Sequence, residues 1–156
     1  TQAVCSFLGL AHRFDGVAAF TGLPSIHDSK ATNLGATMAA LVGMSPGKQV
    51  VLIAGGDAKG VDLSPLSVLF ESRMHHLVAL GQDGPQLMQL AESVGVAGTL
   101  FASMQQAVDV ARRVARQGDT VLLSPACASL DMFVSYADRG DQFVRAVRKL
   151  DAAGAI

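Results

Sequence analysis

The sequence predicts an α/β domain in which a mostly parallel, mixed sheet carries helices on both faces. From about residue 49 onward, short apolar runs alternate with segments of helical periodicity, a pattern typical of parallel strands joined by crossover helices. A second observation is the pair of short apolar stretches within residues 14–26, on either side of Thr21-Gly22. This pair predicts an early hairpin that adds one antiparallel strand to the sheet.

Four later runs predict buried strands, because each is short, mostly apolar and followed at once by Gly or Ser. They lie at residues 49–56, 76–81, 98–102 and 119–124. Together with the helices between them, they indicate a Rossmann-like arrangement of strands in one sheet.

Five segments have helical periodicity or helix-terminal signals. Ser64 followed by Pro65 is typical of a helix start. Ser103 and Gln106 form a capping-box pattern, and Gly118 predicts the end of the same helix. The predicted helices lie at residues 34–44, 64–72, 83–96, 103–118 and 141–150.

Composition limits the kind of partner this domain can bind. The chain has 156 residues, enough for one domain, with 50% hydrophobic and 16% charged residues. A net charge of −1, one tyrosine and no tryptophan argue against binding to nucleic acid or to a membrane surface. No apolar run approaches the ~20 residues of a membrane helix. We therefore expect a single domain that is monomeric by default and associates with no membrane.

The two cysteines, Cys5 and Cys127, lie far apart and form no CxxC pair. Such sparse cysteine usage favours a reducing compartment and a cytoplasmic location, although one bridge between the two remains possible. Cys127 lies among small residues, and we expect it to be a buried free thiol.

The chemistry of this chain is concentrated in the loops that follow the predicted strands. These are "HDSKATN" (27–33), "AGGDAKGVD" (54–62), "GQDG" (81–84) and "SPACASLDMF" (124–133). Ligands of open α/β sheets bind beyond the carboxyl ends of the strands, so these loops should converge at one edge. The cations and hydroxyls of these loops would bind a carboxylate or a phosphate well. The residues that carry them are Lys30, Thr32, Lys59, Ser124 and Ser129.

Several of these residues also have simpler explanations. Thr32 or Asn33 is equally well explained as the N-cap of the helix at 34–44, and Lys59 is of a type that is usually solvated. "GGDAKG" lacks P-loop spacing, and Ser129 lacks the GxSxG frame of a nucleophile elbow. His75 and His76 stand at a predicted strand start, and we expect both to lie on the surface. With no further ligand nearby, the pair predicts no metal site.

Four motifs, in this order, resemble the C-terminal domain of the Mur ligases. They are "HRF" (12–14), "DSKATN" (28–33), "GGDAKG" (55–60) and "SPACASLDMF" (124–133). The second and fourth are similar to those of the D-glutamate-adding members in particular. The resemblance implies the third, amino-acid-binding domain of a three-domain enzyme. The UDP-binding and ATPase domains of such an enzyme are not represented in these residues.

The resemblance implies an ATP-dependent amide ligase of peptidoglycan precursor synthesis. Its partners would be D-glutamate, UDP-N-acetylmuramoyl-L-alanine, ATP and the other two domains, with ATP and Mg²⁺ bound mainly by the central domain. The reaction would pass through an acyl phosphate, and the present chain alone would be inactive. The alternatives are a stand-alone binding module of this fold, or the amino-acid-binding domain of a related amide ligase.

The resemblance also assigns binding residues for D-glutamate. Thr32 and Lys59 match positions that hold its α-carboxylate. Ser129, with the backbone near Leu130 and Tyr136, matches the positions that hold the side-chain carboxylate. Tyr136 stands where the family commonly has Phe, which a backbone contact would tolerate.

A second group of positions matches residues that lie near the nucleotide when the domains close. These are Arg13, Asp28 and Lys30, of which Arg13 would face phosphate and Asp28 would accept hydrogen bonds from ribose hydroxyls. His27 stands where the family often has Asn, and the resemblance implies no role for it.

Overall fold

The strands of this chain form one six-stranded sheet in the order β1-β2-β6-β3-β4-β5. The structure, a computed structural model, describes residues 15–20, 23–44 and 49–152. The strands are β1 (Asp15–Phe20), β2 (Leu23–His27), β3 (Val50–Gly55), β4 (Met74–Leu80), β5 (Ala97–Phe101) and β6 (Thr120–Leu123).

Strands β2 to β6 run parallel to one another, which confirms the mostly parallel sheet. Strand β1 pairs antiparallel with β2. The turn predicted at Thr21-Gly22 lies outside the described residues.

Five helices connect or follow these strands within the described part of the chain. They are α1 (Leu34–Val42), α2 (Ser67–Arg73), α3 (Gly84–Ser93), α4 (Met104–Val114) and α5 (Tyr136–Ala152), with a short 3-10 turn at Ser64–Leu66 before α2. None of the helices described combines the length and apolar character needed to cross a membrane.

Two apolar layers cover the sheet because successive strand residues point to opposite faces. On one face, Leu52 of β3 belongs to the cluster that contains Leu41 of α1 and Phe70 of α2. On the other face, Ile53 belongs to the cluster that contains Phe143 of α5. Helices α1 to α3 thus pack on one face, and α4 and α5 on the other, as the strand-helix alternation predicted.

The end of α4 and the cap at the 3-10 turn differ from the prediction because other contacts decide them. Helix α4 ends at Val114, and Ala115 is already extended (φ −65°, ψ 141°), so Gly118 belongs to the turn that leads into β6. At the 3-10 turn, Ser64 is the first helical residue and not the N-cap. Asp62 Oδ1 accepts from the Ser64 N–H at 2.9 Å in an Asx turn, and Asp62 Oδ2 accepts from the Ser64 hydroxyl.

Helix α5 begins at Tyr136, well before the predicted start at residue 141. The hydroxyl of Ser135 accepts the N–H of Asp138 at 3.0 Å, and the Asp138 carboxylate accepts the N–H of Val134. Ser135 is therefore the N-cap, and the Asp138 carboxylate reaches back to the residue before the cap, in a variant of the capping box. Tyr136 thus lies on the first turn of the helix, directly after the loop at residues 124–135.

The prediction that His75-His76 lies on the surface is wrong, because both residues belong to β4 and are partly buried. His75 Nδ1 lies 2.8 Å from Asp119 Oδ2, and His76 Nε2 lies 3.0 Å from Thr99 Oγ1. Burial, and then the neighbouring His75, lower the pKa of His76. These partners come from distant segments, which explains why local sequence did not reveal them.

Helix α1 depends on a side-chain cap at its start, since Asn33 is extended and its Oδ1 accepts the Ala36 N–H at 2.9 Å. Asn33→Ala is expected to lower the free energy of unfolding by about 1 kcal/mol, measured by denaturation in urea. Asn33→Asp keeps the acceptor and should lower it much less. Equal losses in the two variants would show that the cap is not what stabilises this helix.

Candidate functional site

Three of the four loops singled out in the sequence follow neighbouring strands, β2, β6 and β3, and are joined by backbone hydrogen bonds. Ala126 donates to the carbonyl of Ala31 at 3.0 Å. Asp57 donates to the carbonyl of Ala128 at 3.0 Å, and Ala128 donates back to that of Asp57 at 2.8 Å. The 124–135 loop therefore lies in the middle and fixes the 27–33 loop on one side and the 56–63 loop on the other.

The fourth loop, after β4, is attached to the same edge by two carboxylates. Asp83 accepts the N–H of Ala58 at 2.7 Å, and Asp131 accepts the N–H of Gln82 at 2.8 Å. All four loops thus meet at the carboxyl edge of the sheet, which is where parallel strands of an open sheet form ligand sites.

The two glycines at the end of β3 permit this close meeting of loops. Gly55 and Gly56 have φ angles of +135° and +126°, which L side chains rarely adopt. A Cβ on Gly55 would overlap the backbone of Leu80, and one on Gly56 would overlap the carbonyl of Ala128. The Gly-Gly pair is therefore required for close backbone approach as well as for the turn.

A cleft of about 380 Å³ opens between the 27–33 and 56–63 loops. Thr32 and Lys59, the two residues assigned to the α-carboxylate of D-glutamate, line it together. The rest of its wall comes from the start of α1 and from small or charged loop residues, namely Asn33, Leu34, Gly35, Asp57, Ala58, Val61, Ala126 and Ala128. The cleft thus combines a cation and a hydroxyl with the amino end of a helix.

Lys59 is exposed and has a left-handed backbone (φ 54°), and its N–H donates to Asp57 Oδ1 at 2.8 Å. A carboxylate that accepts the N–H two residues further on forms an Asx turn, which holds the loop in this conformation. Among the described residues, the Lys59 ammonium forms no ion pair. It is therefore available to an anion in the cleft.

The amino end of α1 supplies further donors on the same side. Asn33 accepts the Ala36 N–H through its side chain and the Thr37 N–H through its carbonyl. Leu34 and Gly35 line the cleft, and their N–H groups lie in the first turn, which a helix leaves without internal partners. Since Asn33 is the cap, the Thr32 hydroxyl is not used for capping. These groups suit a carboxylate.

The residues assigned to the side-chain carboxylate lie in or next to the 124–135 loop. Ser129 is buried (4% exposed), and its carbonyl accepts the N–H groups of Met132 and Phe133 in a tight turn. Leu130 is 72% exposed, and Tyr136 is partly exposed. These three residues do not line the cleft, but Ser129 directly follows Ala128, which does.

Arg139 of α5 connects several loops at this edge of the sheet, and the sequence did not predict this role. Its side chain is 1% exposed. Nε donates to Ser29 Oγ at 3.0 Å, Nη2 to Ser29 O at 2.7 Å, and Nη1 to Cys127 O at 2.9 Å. In turn, Ser29 Oγ donates to the Tyr136 carbonyl at 2.6 Å. One guanidinium thus joins the 27–33 loop, the 124–135 loop and α5.

Burial decides the ionisation of the two titratable groups at this junction. It lowers the pKa of Arg139 to about 10, so the guanidinium stays charged at neutral pH. Burial, reinforced by nearby carboxylates of which Asp83 is the strongest, raises the pKa of the Cys127 thiol to about 12. Cys127 is a buried free thiol, as predicted, and in this state it is a poor nucleophile.

Of the three residues assigned to the nucleotide, Asp28 and Lys30 are described, and both lie at this edge of the sheet. Lys30 is exposed, with its Nζ 6.0 Å from the centroid of the Tyr136 ring. Asp28 is 6% exposed, and its N–H donates to Leu123 O. Arg13 lies outside the described residues. His27 is buried, and its ring centroid lies 6.2 Å from that of Phe143.

Potential metal ligands are not clustered in the part of the chain that the structure describes. Within residues 15–20, 23–44 and 49–152, no three His, Cys, Asp or Glu side chains form a group that could hold a metal ion.

Comparison with known proteins identifies close relatives of the whole domain. The family model "Mur ligase, glutamate ligase domain" matches residues 12–127. A UDP-N-acetylmuramoylalanine--D-glutamate ligase from Colwellia psychrerythraea is 44% identical over 152 residues, which covers 95% of this chain and 31% of that protein. The ligase of the same name from Hahella chejuensis is 48% identical over 151 residues, which covers 96% of this chain and 34% of the relative. The chain thus spans about a third of the length of these curated relatives.

Solved structures of lower identity share the fold. A bifunctional folylpolyglutamate synthase/dihydrofolate synthase from Yersinia pestis superposes with a TM-score of 0.58 at 16% identity, over 94% of this chain and 32% of that one. UDP-N-acetylmuramate-alanine ligase from Thermotoga maritima gives 0.54 at 15% identity, over 92% and 31% of the two chains. From the family model and the curated relatives together, the chain belongs to the Mur ligase family and corresponds to its C-terminal, glutamate ligase domain.

Proposed function

We propose that this chain is the D-glutamate-binding domain of an ATP-dependent ligase that joins D-glutamate to UDP-N-acetylmuramoyl-L-alanine. The observation that carries the proposal is the cleft in which Thr32, Lys59 and the amino end of α1 lie together. Relatives that are 44% and 48% identical are D-glutamate ligases by name, which supports the choice of amino acid.

The α-carboxylate of D-glutamate binds in this cleft. The ammonium of Lys59 supplies the opposite charge, Thr32 supplies a hydroxyl, and the first turn of α1 supplies N–H donors. Hydrogen bonds to ionised groups are the strong ones, and they gain further where walls exclude part of the water. The Asx turn at Asp57 and the cap at Asn33 hold the donors in place before the ligand arrives.

The side-chain carboxylate binds to Ser129 and to the backbone near Leu130 and Tyr136. Two carboxylates on one small molecule need two separate sets of donors, and the loops after β2 and β3 provide the first. The 124–135 loop, which is held between them by Ala126 and Ala128, provides the second. Because backbone hydrogen bonds fix the spacing of these loops, the two sets of donors select a ligand whose carboxylates are separated by a matching distance.

The reaction we propose for the complete protein is amide formation through an acyl phosphate. ATP phosphorylates the alanyl carboxylate, the amine of D-glutamate attacks the acyl carbon, and phosphate leaves. This domain binds and orients the amine, whereas the other two domains bind the UDP-linked substrate and most of the ATP. Arg13, Asp28 and Lys30 would approach the nucleotide when the domains close.

The isolated domain should bind D-glutamate only weakly, because the complete site lies between domains. Submicromolar binding of D-glutamate by this domain alone would contradict this division of the site.

The second carboxylate site is tested through Ser129. In the complete protein, Ser129→Ala should raise the KM for D-glutamate about tenfold, because a hydrogen bond to a charged group is lost. The KM for ATP should not change. Ser93→Ala, at an exposed serine that ends α3, is the matched control. An unaltered KM for D-glutamate in Ser129→Ala would remove Ser129 from the site.

A further inference from the structure

We infer that Asp57 holds the ammonium group of the amino-acid substrate, so that the cleft recognises a zwitterion and not only an anion. The inference rests on the proposed function, because it assigns a role at the same cleft. Asp57 is not among the residues that the sequence resemblance assigned.

Asp57 lies where an ammonium group beside a bound carboxylate would need a partner. It lines the cleft with Thr32 and Lys59 and is partly buried. Its backbone is fixed through both its N–H and its carbonyl by the paired hydrogen bonds with Ala128, at 3.0 and 2.8 Å. The carboxylate is thus presented by a rigid stretch of backbone and not by a mobile loop tip.

Opposite charges remain unneutralised within this one cleft. Asp57 Oδ1 accepts the backbone N–H of Lys59. Among the described residues, however, neither the Asp57 carboxylate nor the Lys59 ammonium forms an ion pair within 4.0 Å. A carboxylate has about four lone-pair sites, so one backbone N–H leaves Asp57 with unused acceptor capacity. An α-amino acid carries its ammonium and its α-carboxylate on one carbon, and the separated Asp57 and Lys59 match those two charges.

Asp57 could instead act only by holding the 56–63 loop, and the chemistry of asparagine separates the two roles. The amide oxygen of asparagine accepts the Lys59 N–H as the carboxylate does, and the side-chain volume is nearly the same. Asp57→Asn therefore keeps the Asx turn and removes the negative charge. Asp57→Ala removes both.

The test compares two ligands in the complete protein that differ in the charge on one nitrogen. D-glutamate carries an ammonium, whereas the ligation product, UDP-N-acetylmuramoyl-L-alanyl-D-glutamate, carries a neutral amide at the same atom. Asp57→Asn should raise the KM for D-glutamate about tenfold and leave the inhibition constant of the product unchanged. Asp57→Ala should raise both. Glu92→Gln, at an exposed carboxylate of α3, should alter neither.

An equal rise of both constants in Asp57→Asn would overturn the inference, since it would show that Asp57 acts through the loop. An unchanged KM for D-glutamate would overturn it as well. Failure of the proposed function looks different, because the unmodified protein would then not use D-glutamate, or Lys59→Ala would leave its KM unaltered.

Discussion

Replacing Lys59 by alanine in the complete protein is expected to raise the KM for D-glutamate about ten- to a hundredfold, through loss of a charge-assisted contact. Lys59 is the cation that lines the cleft, and within the described residues no carboxylate neutralises it. The positive charge is therefore available to the α-carboxylate. The measurement is the KM for D-glutamate at saturating ATP and UDP-linked substrate.

Two further variants make the Lys59 result specific. Lys59→Arg keeps the charge and should recover part of the affinity, although the planar guanidinium changes the geometry of the contact. Lys149→Ala removes an exposed lysine near the end of α5, far along the chain from the cleft, and should leave the KM unchanged. If Lys59→Ala and Lys149→Ala gave the same KM, the cleft would not be the carboxylate site.

Replacing Arg139 by methionine is expected to lower the free energy of unfolding by about 3 kcal/mol or more, because buried acceptors lose their charged donor. The guanidinium contacts Ser29 Oγ, Ser29 O and Cys127 O, and it is almost completely buried. Methionine fills part of the volume and satisfies none of these oxygens. Unfolding of the variant and the parent in urea gives the difference directly.

The variant should also weaken the proposed substrate site, since Arg139 joins the two loops that carry Thr32 and Ser129. We expect a higher KM for D-glutamate in Arg139→Met even under conditions in which the protein remains folded. Arg148→Met, at an exposed arginine of the same helix, should change stability by less than about 0.5 kcal/mol. Comparable stability of the Arg139 and Arg148 variants would mean that the buried hydrogen bonds are not important to this edge.

The sequence was sufficient to predict the layered α/β architecture, because strands and helices alternate with distinct periodicities. The meeting of the four loops also followed from general rules, since loops after parallel strands lie at one edge of the sheet. Local signals predicted Ser103 correctly as the cap of α4, where its hydroxyl accepts the Gln106 N–H. They could not choose between Thr32 and Asn33 as the cap of α1, because both residue types cap helices well.

The features that sequence reasoning missed depend on contacts between distant segments. Arg139 is far along the chain from Ser29, and although it lies four residues before Phe143 on the same helix, arginine is a residue type that is rarely fully buried. The pairing of His75 with Asp119 likewise depends on the fold, because it joins the amino ends of β4 and β6, two strands that β3 separates in the sheet. The early start of α5 was the exception, since Ser135 and Asp138 carry a recognisable capping pattern.

The most direct test of the proposed function is a substrate panel with the complete protein. The protein would be supplied with ATP, UDP-N-acetylmuramoyl-L-alanine and one amino acid at a time, and the release of phosphate and formation of the amide would be measured together. We predict that D-glutamate is strongly preferred, with L-glutamate and other amino acids poor substrates. Preference for another amino acid, or no amide formation with D-glutamate, would contradict the proposal.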